Sequence, residues 1–147
     1  MCDALLVEGD QSSMKKRFAL LTTFLAMGRT GEISCATWES AEWDFELQNL
    51  MFYWNELKTS DSDITNMFAD SEFFQLDWYH ALACFAILGG DVSDIRNSHQ
   101  SKYMVPSLAT NKSNAAKVIT SWVRSTLAVC ASEYAALAAE YEGTGIR

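Results

Sequence analysis

A stretch of alternating bulky residues near the middle of the chain constrains the fold more than any other feature. From 44 to 57 the sequence reads DFELQNLMFYWNEL, and its second half is almost entirely aromatic or aliphatic. Side chains that alternate with period two and are rich in aromatic residues predict a β-strand. The polar run KTSDSD at 58–63 predicts a turn, and residues 64–68 predict a short returning strand. We therefore expect a small antiparallel hairpin or meander.

Most of the remaining chain has helical periodicity. Apolar residues at intervals of three and four predict helices, and a glycine follows several of them as a stop signal. The predicted helices cover 14–27, 33–42, 77–88 and 115–142. Residues 77–88 are apolar on nearly every side, which predicts burial. The buried face of the last helix is predicted to contain Val118, Ile119, Trp122, Leu127, Val129, Tyr134, Leu137 and Ala138.

These elements predict a chain that is mainly α with a small antiparallel β-sheet, the α+β class. A length of 147 residues predicts a single domain over 1–147, in which residues 1–13 are a flexible lead-in. Residues 91–110, which contain the proline, are expected to form a loop. No stretch is long and apolar enough to predict a membrane span, and no secretory signal is recognisable, so an intracellular location is expected.

Composition restricts the chemistry. The formal net charge of −8 argues against a generic nucleic-acid binder, which usually carries a surplus of lysine and arginine. The four cysteines are widely separated and there are two histidines, so neither a metal site nor a cofactor is predicted. His80 lies in the apolar helix and is interpreted as a core histidine rather than a base. No motif of a small-molecule enzyme is present.

Two positively charged features need an explanation: a single arginine at 29 and a run of three basic residues at 15–17. Arg29 lies between two glycines in GRTGE, directly after a helix that is predicted to be buried. It either meets an anionic ligand or bonds Glu32 or the last helix carbonyls. Lys15, Lys16 and Arg17 lie in the first turn of that helix, where the helix dipole does not favour cations. They are either a solvated helix start or a phosphate-facing patch.

The order of these features resembles a known family. Arg29 precedes a glutamate, a tryptophan and an acidic residue; Lys58 lies in the turn between two predicted strands; and Arg147 ends the motif GTGIR. From about residue 14 to 147 the chain resembles the first two-thirds of the catalytic domain of tyrosine recombinases, the phage-integrase family, and especially those of crypton-type transposons. The family usually has histidine or lysine where this chain has Thr144.

The resemblance implies a metal-independent DNA strand-exchange enzyme that acts on DNA as a homo-oligomer, in the nucleus if the source is eukaryotic. Arg29 and Arg147 would bind the scissile phosphate and its transition state, and Lys58 would protonate the leaving oxygen. The DNA-backbone candidates are Lys15, Lys16, Arg17 and Thr144. The family's nucleophilic tyrosine would lie beyond Arg147, so this polypeptide alone is expected to be inactive. Tyr134 and Tyr141 precede Arg147 and are rejected as nucleophiles.

A second reading is a non-catalytic, acidic helical module that binds other proteins. Under it, Lys58 is a solvated turn residue and Arg147 a frayed chain end. The distribution of charge distinguishes the two readings. A recombinase-like domain should gather its cations on one concave face, whereas an assembly module should scatter them and expose an apolar patch. The cations concerned are Lys15, Lys16, Arg17, Arg29, Lys58 and Arg124.

Overall fold

The computed structural model describes residues 1–25, 33–34, 36–54, 63–88, 103–105, 108 and 112–143. Within them the chain is mainly helical and carries a small antiparallel sheet, which confirms the α+β class. The elements in chain order are α1 (Cys2–Glu8), α2 (Gln11–Leu25), a 3-10 turn (Trp38–Ser40), β1 (Ala41–Asp44), β2 (Asn49–Trp54), β3 (Asp63–Met67), α3 (Trp78–Leu88) and α4 (Lys112–Gly143).

The three strands form a meander in the order β1-β2-β3. Ala41 of β1 pairs with Phe52 of β2, and Leu50 of β2 pairs with Met67 of β3. Phe52 and Met67 are buried, so this register turns one face of the sheet toward the core. The expected hairpin or meander is therefore confirmed as a meander.

The turn between β1 and β2 explains why β2 begins at Asn49 rather than at Asp44. The Asp44 Oδ1 accepts hydrogen bonds from the backbone N–H groups of Glu46 and Leu47, at 2.8 and 3.0 Å. Gln48 then adopts the left-handed conformation, with φ of 53°. An aspartate that bonds the backbone two and three residues ahead competes with strand pairing, so the chain reverses here.

The core is an aromatic cluster in which α2 packs against α3. The ring of Phe18 stacks on Phe85, with centroids 5.1 Å apart, and lies 5.4 Å from the ring of Trp78. The indole Nε1 of Trp78 donates a hydrogen bond of 2.9 Å to the Thr22 hydroxyl. This bond satisfies the buried polar atom of the largest side chain in the core.

Tyr79 connects α3 to the sheet. Its hydroxyl donates to the carbonyl of Met67 at 2.5 Å and accepts from the backbone N–H of Leu50 at 2.7 Å. Leu50 and Met67 are partners across β2 and β3, so one side chain bonds both strands at a single register position. Partial burial raises the pKa of the Tyr79 hydroxyl.

The N-terminal residues do not form the flexible lead-in that was expected. Cys2–Glu8 is helical, Gly9 ends the helix in the left-handed conformation at φ 64°, and Leu5 is buried in the core. The Ser13 hydroxyl donates to the Glu8 carboxylate and so connects the end of α1 to the start of α2. Residues 2–8 are too few for a strong periodic signal, but they form a helix that packs against α2.

The expected helix over 33–42 is also wrong in its second half. Trp38–Ser40 makes a 3-10 turn, and Ala41–Asp44 forms β1. Pairing with β2 overrides the weak helical pattern there. The predicted loop over 91–110 contributes to the core where it is described: Met104, Val105 and Leu108 are buried, and the Met104 N–H donates to the carbonyl of Ala36 at 2.9 Å.

Both apolar helices are less buried than predicted. In α3, the side chains of Trp78, Ala81 and Phe85 face the core, while Ile87 and Leu88 are exposed. Among the side chains of α4 that the structure describes, Ala115, Ile119 and Thr126 are buried, whereas Leu127, Val129 and Tyr134 of the predicted buried face are exposed. Leu137 and Ala138 of that predicted face lie outside the described side chains. Among the helices that the structure describes, none is both long and apolar enough to cross a membrane.

Candidate functional site

The residues that the recombinase resemblance assigns to catalysis lie outside the described residues. This holds for Arg29, Lys58 and Arg147, and also for Thr144. The elements that lead to two of them are described. α2 ends at Leu25, four residues before Arg29, and Lys58 falls in the interval between β2 and β3.

Arg17 does not belong to an exposed cationic patch. It is fully buried, and its Nη2 donates to the carbonyls of Phe74 and Gln75 at 2.8 and 2.9 Å, while its Nε donates to Gln75 at 3.2 Å. Helical spacing places it beside Met14 and Phe18 on the inward face of α2. The expectation that Arg17 contacts a DNA backbone is therefore corrected: its guanidinium fixes the chain before α3.

Lys15 and Lys16 differ from Arg17 in their surroundings. Both are partly exposed on α2. The charge of Lys16 contributes slightly to lowering the pKa of Asp10, whose largest cause is the hydrogen bond from the Ser13 N–H. The pair therefore stays available to solvent, and its contact with a phosphate remains a prediction.

A second set of cations lies on α4 and was largely missed from the sequence. One face of the first half of α4 lines an open surface groove of about 630 Å³. Two cations, three hydroxyl groups and one small side chain contribute to it: Ala116, Lys117, Thr120, Ser121, Arg124 and Ser125. We call this set the α4 groove. Lys117 and Arg124 are seven residues apart, which is two helical turns or about 10 Å.

Of the polar groups of the α4 groove, one hydroxyl is bonded within the described structure and the others are not. The Ser125 hydroxyl donates to the carbonyl of Trp122 at 2.9 Å. Lys117, Thr120, Ser121 and Arg124 are exposed and form no side-chain hydrogen bond or ion pair with another described residue. The groove therefore presents two cations and two hydroxyl donors to solvent, a combination suited to phosphate oxygens.

The distribution of charge along the chain explains why these cations lack acidic partners. From Ile95 to Ser132 the sequence contains five of the eleven lysines and arginines and none of the nineteen acidic residues. The five are Arg96, Lys102, Lys112, Lys117 and Arg124. The excess of acidic over basic residues therefore lies entirely in the rest of the chain. The absence of acidic residues over 38 positions was the sequence signal that could have identified the α4 groove.

The described lining of the α4 groove carries groups that bind anions. Among the described residues, no histidine, cysteine or carboxylate lines it. Elsewhere in the described residues no group of three or more potential metal ligands occurs. His80 is partly buried, with its ring edge-on to Phe74 and its Nε2 3.7 Å from the Sγ of Cys84.

No family model, curated protein or solved structure matches the chain.

Proposed function

We propose that this chain is a DNA-binding domain of the tyrosine recombinase type that contacts the phosphate backbone through α4. The observation that carries the proposal is the α4 groove, because its exposed cations lie in the 38-residue segment without acidic residues. Lys117 and Arg124 bind phosphate oxygens, and Thr120 and Ser121 donate hydrogen bonds to them.

The order of elements supports the recombinase type. A helix precedes Arg29, a three-stranded antiparallel meander follows, and Lys58 falls between its second and third strands. The resemblance implies this sequence of elements around the residues that bind the scissile phosphate. In the proposal, Arg29, Lys58 and Arg147 act on that phosphate, and the α4 groove holds the backbone beside it.

The formal net charge of −8 does not prevent the α4 groove from binding phosphate. Exposed charges are screened over a Debye length of about 8 Å at physiological salt, so a phosphate at the α4 groove interacts mainly with nearby charges. The charged side chains among the described lining of the groove, Lys117 and Arg124, are both positive.

The test is the salt dependence of binding to a fluorescently labelled DNA duplex, measured by anisotropy. Each phosphate contact contributes about −0.9 to the slope of log K against log salt. The Lys117→Gln/Arg124→Gln variant should therefore flatten the slope by about 2. The comparison is Lys15→Gln/Lys16→Gln, which removes the same charge from the other predicted backbone contacts; a similar change in slope would show that α2 also contacts phosphates. A wild-type affinity that does not fall with salt would contradict the proposal.

A second candidate function, a protein-interaction module, is favoured by a different observation. Four of the eight phenylalanines are more than half exposed on the sheet turns and the segment before α3: Phe45, Phe68, Phe73 and Phe74. Exposed aromatic side chains in such number are typical of an interaction surface. Under this function the chain would show no salt-dependent affinity for DNA, and substitution of Phe73 and Phe74 by serine would abolish binding to a protein partner.

A further inference from the structure

Six exposed apolar side chains lie on two connections at one end of the sheet. The first connection joins β1 to β2, and the second joins β3 to α3. The six side chains are between 47% and 79% exposed: Phe45, Leu47, Phe68, Phe73, Phe74 and Leu76. We call this set the phenylalanine surface. A single exposed apolar residue needs no explanation, but six on neighbouring connections are typical of an interaction surface.

The pairing of the strands brings the two connections together. Asp44 is the last residue of β1 and Met67 is the last residue of β3, and both strands pair there with the start of β2. Neighbouring strands lie about 4.8 Å apart, so the chain that follows β1 and the chain that follows β3 leave the sheet at the same end. The Tyr79 hydroxyl bonds Leu50 and Met67 and holds this end against α3.

Each connection contains the same turn. The sequences are DFEL at 44–47 and DSEF at 70–73. In both, the aspartate Oδ1 accepts hydrogen bonds from the backbone N–H groups two and three residues ahead, at 2.8–3.0 Å. Each turn therefore presents a glutamate followed by an apolar residue, Glu46 with Leu47 and Glu72 with Phe73. Because these bonds already order the backbone, binding a partner there costs little further ordering.

The charged side chains around the phenylalanine surface are acidic. Residues 41–54 and 64–77, which the structure describes, contain six carboxylates and no lysine, arginine or histidine. The six are Glu42, Asp44, Glu46, Asp70, Glu72 and Asp77. Glu46 and Glu72 are exposed, and neither side chain forms a hydrogen bond or ion pair with another described residue. Two carboxylates without a described cation therefore lie directly beside the exposed rings.

We propose that the phenylalanine surface binds a basic, amphipathic segment of another protein. The apolar side chains of that segment cover Phe45, Phe68 and Phe73, and its lysines or arginines pair with Glu46 and Glu72. Charge complementarity selects this partner, because the same carboxylates repel a nucleic acid or an anionic membrane. The inference names the partner chemistry of the second candidate function, and it is independent of DNA binding because the described lining of the α4 groove shares no residue with this surface.

Fluorescence anisotropy with a synthetic peptide tests the proposal in the absence of DNA. The probe is a short labelled peptide in which leucine and lysine alternate, and the matched probe has glutamate in place of lysine. The lysine peptide should bind and the glutamate peptide should not. Phe45→Ser/Phe73→Ser should weaken binding at least about tenfold, because it removes two anchoring rings. Phe24→Ser, at a phenylalanine of α2 that is 76% exposed, should leave the affinity unchanged.

The charged contacts are tested with Glu46→Gln/Glu72→Gln. This variant should bind the lysine peptide more weakly than the wild type, and added salt should weaken its binding less, since two ion pairs are removed. The control is Asp3→Asn/Glu133→Gln, which removes the same charge from exposed carboxylates on α1 and α4. It should leave the affinity for the lysine peptide nearly unchanged, because the proposal assigns the contacts to the two turns and not to the net charge.

Several results would overturn the proposal. They are no binding of the lysine peptide, equal binding of the glutamate peptide, and a control variant that weakens binding as much as its matched test variant. Binding of a DNA duplex or of phosphatidylserine vesicles that Phe45→Ser/Phe73→Ser weakens would also overturn it, because the partner would then be anionic. Circular dichroism confirms that each variant is folded. Since the peptide is measured without DNA, this proposal and the DNA proposal fail separately.

Discussion

At the scale of single residues, Arg17 is the most unusual feature of the described structure. A guanidinium without exposed area must replace its lost hydration with hydrogen bonds, and Arg17 bonds two backbone carbonyls. Its Nη1 is buried and has no hydrogen-bond partner among the described residues. The residue therefore connects α2 to the segment before α3, and its removal leaves two acceptors without their donor.

Arg17→Ala should lower the free energy of unfolding by about 2–4 kcal/mol, since it creates a cavity and leaves the carbonyls of Phe74 and Gln75 without a donor. Arg17→Met, which keeps the apolar stem and removes the buried charge, should cost less. The control is Lys16→Ala, a partly exposed neighbour, which should change stability by less than about 0.5 kcal/mol. Urea unfolding measures all three. Equal effects of Arg17→Ala and Lys16→Ala would contradict a stabilising role for the buried guanidinium of Arg17.

At the scale of elements, the start of α2 depends on a titratable cap. The Asp10 Oδ1 accepts a 2.7 Å hydrogen bond from the Ser13 N–H, and this bond is the main reason that the pKa of Asp10 lies below its usual 3.8. A lowered pKa means that folding favours the charged form. The stabilisation is therefore complete above the unfolded pKa and is lost as the pH falls through the lower folded value.

Comparison of the wild type with Asp10→Asn measures this effect. Asparagine caps a helix but does not titrate, so the stability difference between the two proteins should be constant from pH 7 to about pH 5. Below pH 4 the wild type should lose stability relative to the variant. Urea unfolding at each pH gives the difference. A difference independent of pH would show that Asp10 is not charged in its capping role.

The two halves of α4 should also differ in stability as elements. The first half contributes Ala115 and Ile119 to the core, whereas the residues from 131 to 136 are exposed. Backbone amides after Thr126 should exchange with deuterium much faster than those from 118 to 126, since local opening there exposes little apolar surface. Hydrogen exchange followed by mass spectrometry tests this. Uniform protection along α4 would contradict it.

At the scale of the whole molecule, sequence periodicity predicted the type of most elements. The alternating aromatic segment predicted β2, and three-four spacing predicted α2, α3 and α4. The sequence did not predict β1, because Ala41–Asp44 becomes a strand only through pairing with β2. Arg17 was misread as exposed for a similar reason: its carbonyl partners are more than fifty residues away in sequence.

The candidate site was less predictable than the fold. Of the residues singled out for phosphate contact, the structure describes Lys15, Lys16, Arg17 and Arg124, and only Arg124 lines the α4 groove. Lys117, Thr120 and Ser121 are individually ordinary helix residues. They become a candidate site only through the groove they share and the absence of acidic residues around them in sequence. Periodicity identifies which residues face the core, but it does not identify which exposed residues act together.

The bonds of Tyr79 have a consequence for how the molecule can move. One hydroxyl group holds α3, β2 and β3 at a single point, so the helix cannot slide along the sheet without breaking both bonds. A displacement of α3 is therefore transmitted to the two strands whose connection carries Lys58. Tyr79 therefore couples the position of α3 to the register at which β2 and β3 pair.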